Sequence, residues 1–159
     1  MVPMGTDDDL ALLCRSCGLC CDGSLFGRVR LNPDEVEPAR RKLRVLGSGK
    51  GFEQPCIALA RTGSVLDEQR VCAIYDERPL SCRSFACRLY ERHRTEGGPL
   101  EPRLAAVRRV RQLVADLESE GLMPGDLDDA GASRSRTSAH AREAFAELTR
   151  RLEEDFARA

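Results

Sequence analysis

Eight cysteines constrain this 159-residue chain more than any other feature. Four fall within one short run, Cys14-Arg-Ser-Cys17-Gly-Leu-Cys20-Cys21, and four follow at Cys56, Cys72, Cys82 and Cys87. Cys14, Cys17 and Cys20 form C-x-x-C-x-x-C, a spacing that lets a loop wrap thiolates around one metal centre. The chain also needs such help. Its aromatic residues are five Phe and two Tyr with no Trp, and large apolar side chains normally supply most of the buried area of a small domain.

What thiols do depends on the compartment. Met1 to Leu13 carries Asp7, Asp8 and Asp9 and has neither the basic start nor the apolar run of a signal peptide. No apolar stretch has the length of a membrane helix. The expectation is a cytoplasmic chain, where clustered cysteines serve as metal ligands or catalytic thiols more often than as disulfides. The 25 basic and 26 acidic residues nearly cancel. No basic stripe is interleaved with aromatics, so neither nucleic acid nor a membrane is an expected partner. Ser-His-Asp, phosphate-loop and dinucleotide patterns are missing, which leaves hydrolase, kinase and nicotinamide-enzyme readings without support.

The pattern along the chain predicts an α+β fold: a small irregular metal-stabilised domain with short strands and helices over residues 1–95, followed by two C-terminal helices over 96–159 that pack on it. The glycines and polar residues around Cys14 to Cys21 predict a tight loop. Leu25 to Leu31 reads as a strand. Asn32-Pro33-Asp34-Glu35 starts a helix, with Val36, Ala39, Leu43 and Leu46 on one face, and Gly47 to Gly51 ends it. Cys56 to Arg61 and Arg70 to Tyr75 form a hairpin that brings Cys56 near Cys72. Cys82 and Cys87 follow in a compact helical segment. Beyond Gly97-Gly98-Pro99, Leu104, Val107, Val110, Val114 and Leu117 recur at helical spacing. Gly121 to Ser138 is a connection, and a second helix capped by Thr137 or Ser138 carries Ala141, Phe145, Leu148, Leu152 and Phe156 on one stripe. These two helices are also the surface through which a protein partner would bind.

All eight cysteines, Cys14, Cys17, Cys20, Cys21, Cys56, Cys72, Cys82 and Cys87, are candidate metal ligands, enough for one four-sulfur site or two. If the backbone is extended at Cys20-Cys21, their side chains point to opposite sides and serve different sites. The ferredoxin-like spacing favours an iron–sulfur cluster over zinc; Cys14-x-x-Cys17-Gly18 alone matches a zinc knuckle. Arg78 and Arg83 stand close enough in sequence to the ligands to offset their negative charge, ahead of Arg15 and Arg88. Asp22 and Asp76 read as turn caps. His93 and His140 have no paired spacing with another ligand candidate and read as surface histidines.

These residues resemble one known family, the cysteine-cluster proteins described as zinc- or iron-chelating domains and also named the YkgJ family. Cys14 to Cys21 is similar to its CxxCxxCC signature, Pro55-Cys56 to its middle cysteine, and Cys72-Ala-Ile-Tyr-Asp-Glu-Arg-Pro-Leu-Ser-Cys82-Arg to its second signature. Cys87 fits the closing cysteine, although Ala86 stands where many relatives have proline. The resemblance spans residues 10 to 90 and implies metal or cluster binding. Three functions follow as expectations: an iron–sulfur protein with a redox or accessory role, a zinc-stabilised interaction module, and, because a larger relative methylates protein lysines, part of a protein-modifying enzyme system. An activity of the chain's own is not expected, since it shows no methyl-donor site and has too many clustered cysteines for a simple dithiol site.

Overall fold

The computed structural model describes residues 5–63, 68–122 and 138–157. It mixes short antiparallel strands with helices, as an α+β chain should, and ends in two long helices. Residues 123–137, most of the expected Gly121 to Ser138 connection, lie outside the described residues. Two compact units are present, one made of residues 1–17 and 86–159, the other of residues 18–85. This partition differs from the 1–95 and 96–159 reading, because the segment holding Cys14 and Cys17 belongs with the late helices.

That segment is α1, Asp7–Cys17, a helix where the sequence predicted a loop. Thr6 Oγ1 accepts the Asp9 backbone N–H at 3.2 Å, and Asp7, Asp8 and Asp9 complement the positive end of the helix dipole. Leu10 and Leu13 are buried, and α1 packs on α4 and α5. The glycine that suggested a loop instead ends the helix, since Gly18 takes φ 68° in the left-handed region.

The rest of this unit is α4, Arg88–Glu96, α5, Glu101–Ser119, and α6, Ala139–Arg151, which continues as a π-helical turn over Leu152–Phe156. The periodic residues Val107, Val110, Val114 and Leu117 are buried on α5 as expected, together with Leu113. Ser138 Oγ accepts the Ala141 N–H at 3.0 Å and caps α6. Ala141, Leu148, Leu152 and Phe156 are buried, and α5 and α6 pack on each other. His93 is a correction: it is fully buried rather than a surface residue, because it faces inward on α4, packed so closely on Gly5 that a Cβ there would lie 2.6 Å from its Cδ2. His140 is exposed. Among the described residues no helix is long and apolar enough to cross a membrane.

Unit two, residues 18–85, is built on two small ribbons. β1, Arg28–Arg30, pairs antiparallel with β2, Gly51–Glu53, a strand that the glycine-rich turn had concealed. Val45 bridges to Phe52. The predicted helix from Asn32 is shorter than its apolar spacing implies: a 3-10 turn at Pro33–Glu35 leads into α2, Val36–Arg40, and the chain then turns so that residues 45 and 46 join the ribbon. Pro38 falls in the first turn of α2, where its missing N–H is tolerated. Glu35 still closes the start, accepting the Asn32 N–H at 2.9 Å. β3, Leu59–Thr62, and β4, Gln69–Cys72, make the expected hairpin, with Leu59 opposite Cys72 and Thr62 opposite Gln69. A 3-10 turn at Tyr75–Glu77 leads to α3, Leu80–Ser84. The core is small: Leu31, Ala39, Leu43, Phe52 and Ala58, with Cys56, Cys72 and Cys82 packed against it.

Candidate metal centre

The fold sorts the eight cysteines by unit. Cys20, Cys21, Cys56, Cys72 and Cys82 lie in the ribbon unit; Cys14, Cys17 and Cys87 lie in the helical one. No disulfide joins any of them among the described residues.

In the ribbon unit the first cysteines sit on a turn rather than on extended chain. The N–H groups of Cys21 and Asp22 both reach the Gly18 carbonyl, at 3.0 and 3.1 Å. The two sulfurs of Cys20 and Cys21 therefore lie on one side, 3.8 Å apart, which corrects the opposed arrangement expected of an extended backbone. Cys56 is tied to this turn by its own N–H, which donates to the Cys21 carbonyl at 2.8 Å. Cys72 ends β4 opposite Leu59, and Cys82 lies on α3.

Burial and neighbouring thiols act on Cys20, Cys21, Cys56 and Cys82. The thiol contact with Cys21 lowers the Cys20 pKa and raises that of Cys21, which burial raises further. Burial, then the neighbouring charge of Cys72, raises Cys56. Burial, followed by the charges of Cys56, Cys20 and Cys72, pushes Cys82 up to about 12. The Cys21, Cys56 and Cys82 thiolates are disfavoured by burial and by their neighbours, the situation a bound cation reverses. Arg78 acts in the opposite sense and lowers both Cys20 and Cys82. Its guanidinium is held in place, 3.6 Å from the Tyr75 ring centroid with Nε donating to the Tyr75 carbonyl at 2.8 Å. Arg83 is exposed on α3.

Asp22 behaves as the turn residue it was read as. One carboxylate oxygen accepts the Ser24 N–H at 2.8 Å, and the other accepts Arg70 Nη1 at 2.9 Å. Burial raises its pKa, opposed by the Ser24 hydrogen bonds and by Arg70. Arg70 and Gln54 escaped the sequence reading. Gln54 Nε2 donates to the Cys20 carbonyl at 3.2 Å, which no local pattern announced. Arg70 did leave a trace, since residues two apart on a strand share a face and Arg70 precedes Cys72 by two.

In the helical unit Cys14 is exposed and Cys17 half-buried, both toward the end of α1. Cys87 is the N-cap of α4. Burial raises the Tyr90 hydroxyl pKa, as does the nearby charge of Cys14. Arg88 is engaged elsewhere, its Nη1 donating to the Glu153 carbonyl at 2.7 Å.

The model of one family matches residues 13–102, more than half of the chain: CxxCxxCC, described as "Putative zinc- or iron-chelating domain". The chain belongs to this family. No curated protein and no solved structure matches it. The donor set of the ribbon unit fits the metals in that description, since thiolates are the soft ligands that both zinc and iron–sulfur clusters take. Among the described residues, however, no three His, Cys, Asp or Glu side chains stand together at metal-holding separation.

Proposed function

We propose that this chain carries a thiolate-ligated metal in its ribbon unit, an iron–sulfur cluster in preference to zinc, with a redox or accessory role. One observation carries the reading: the Cys20 and Cys21 sulfurs lie 3.8 Å apart on a turn that the Cys56 N–H holds, and Cys56, Cys72 and Cys82 pack against one apolar cluster of the same compact unit. Four of these would be the ligands, with Arg78 offsetting their charge. Zinc and a cluster both take four thiolates, and it is the ferredoxin-like spacing of Cys14, Cys17 and Cys20 that favours the cluster. When bound, an iron–sulfur cluster supplies one-electron transfer, whereas zinc supplies a structural cross-link. Cys14 and Cys17 remain candidates on their C-x-x-C-x-x-C spacing with Cys20, and Cys87 on the family signature.

Anaerobic purification followed by metal and sulfide analysis tests the proposal. Coloured protein with iron and sulfide in stoichiometric amounts supports it; protein that takes up neither iron nor zinc overturns it. A colourless protein holding only zinc moves the assignment to a zinc-stabilised interaction module. That second reading is favoured by the small apolar core, on which three of the cysteines pack. Structural zinc contributes about 10–16 kcal/mol in peptide systems, more than a small core retains as net stability.

A further inference from the structure

We infer that Arg70 is a positioning residue of the metal site: paired with Asp22, it fixes the Cys20-Cys21 turn against β4, the strand that Cys72 ends. The geometry stands by itself; only its consequence for metal rests on the function proposed above.

The pair spans 48 positions of sequence and is almost fully removed from water, with side chains 9% exposed for Arg70 and 8% for Asp22. Charges are seldom buried without a structural reason, because desolvation consumes most of the attraction unless the geometry is well satisfied. Here Asp22 is satisfied twice, by Arg70 Nη1 at 2.9 Å and by the Ser24 N–H at 2.8 Å. The Arg70 stem reaches it by crossing directly over Gly18, where a Cβ would lie 2.5 Å from Arg70 Cδ and where φ is 68°. Only glycine suits both the backbone and the crossing.

Two other clamps act on the same turn. Gln54 Nε2 holds the Cys20 carbonyl, and the Cys56 N–H holds the Cys21 carbonyl. Each clamp comes from a segment bearing another cysteine: residues 54–56 carry Cys56, and β4 carries Cys72. Arg70 is the clamp that ties the first signature to the second. Buried Arg70 Nε and Ser24 Oγ have no hydrogen-bond partner among the described residues.

The test uses the full chain with Arg70→Met, Arg70→Lys and Asp22→Asn. In the metal-free protein, iodoacetamide labelling read cysteine by cysteine with mass spectrometry should accelerate about ten-fold or more at Cys20 and Cys21 in Arg70→Met, and less than about two-fold at Cys56 and Cys82. Arg70→Lys, which keeps charge and most of the reach, should recover part of that protection. Cobalt(II) titration against a chromophoric chelator should show a ten-fold or greater loss of affinity and a weaker thiolate-to-cobalt band in Arg70→Met. If Arg70→Met fails to fold, Asp22→Asn gives the same comparison with shape preserved. Equal acceleration at all five cysteines, or unchanged labelling at Cys20 and Cys21, overturns the inference. Wild-type protein that binds neither cobalt, zinc nor iron removes the metal function, while the labelling pattern still decides the role of Arg70.

Discussion

Cys87 Sγ accepts a hydrogen bond from the Tyr90 backbone N–H at 3.4 Å, so one cysteine of the family signature is also the N-cap of α4. Its backbone is extended, at φ −82° and ψ 161°, as a cap requires. Cap and ligand are separable by substitution. In metal-free protein, Cys87→Ser should keep α4 intact, because a hydroxyl is a better cap than a thiol, whereas Cys87→Ala should cost about 1 kcal/mol. Urea unfolding of the two variants checks this. An equal loss in both would show that the cap contributes nothing.

Gly51 is the second position where a small change should have a large effect. It pairs with Arg30 in the β1–β2 ribbon, and a Cβ there would be driven onto the carbonyl oxygen of Val29. That obstacle is backbone and cannot swing aside. Gly51→Ala should therefore destabilise the ribbon unit by about 1–3 kcal/mol, the usual range for overpacking. Amide exchange at Val29, Leu31 and Phe52 is the direct readout, and unchanged protection would contradict the geometry.

What the sequence disclosed follows from how local each signal is. The α5 and α6 stripes were legible because Val107, Val110, Val114 and Leu117, and later Ala141, Leu148 and Leu152, repeat an apolar period over many residues. The β3–β4 hairpin was legible from its two β-leaning runs, although the strands proved shorter. Helix α1 was missed because Cys14, Ser16 and Cys17 look like loop residues, while the burial of Leu10 and Leu13 that stabilises the helix is tertiary. β2 was missed because three residues behind a glycine-rich turn have no periodicity to read. At the site, the sequence offered the cysteines as candidates but not how the fold divides them, nor the Arg70–Asp22 pair, whose partners stand 48 positions apart. His93 was misjudged for the same reason: its burial depends on Gly5, far away in sequence.

Glu147 on α6 is gripped from two helices. Arg109 of α5 donates through Nε at 2.9 Å and through Nη2 at 2.5 Å, and Arg151 Nε donates at 2.7 Å. The Arg109 and Arg151 hydrogen bonds lower the carboxyl from 4.5 to about 2. A depressed folded-state pKa stabilises the fold above the unfolded value, and that contribution disappears as pH falls through the folded value. Wild type and Glu147→Gln should then differ most in Tm above about pH 5, and the gap should close between 4.5 and about 2. The group is partly exposed, so added salt should shrink the gap as well. A gap independent of pH would rule out the charge as its source.

Metal removal should act on the ribbon unit through its core. Cys56, Cys72 and Cys82 pack against Leu31, Ala39, Leu43, Phe52 and Ala58, a cluster with one aromatic ring and two alanines. Burial of that size yields little net stability after conformational entropy. A ligated metal would tie these three cysteines to the Cys20-Cys21 turn and constrain the chain on both sides of the cluster. The helical unit buries Val107, Val110, Leu113, Leu117, Leu148 and Phe156, an apolar core of its own. Stripping with a chelator should therefore lower amide protection across β1, β2 and β4 by a factor of about ten or more. Protection over α5 should change far less. If both fall together, the metal stabilises the whole chain as one cooperative body; if neither falls, the apolar cluster holds the ribbons unaided and a structural role for the metal is excluded.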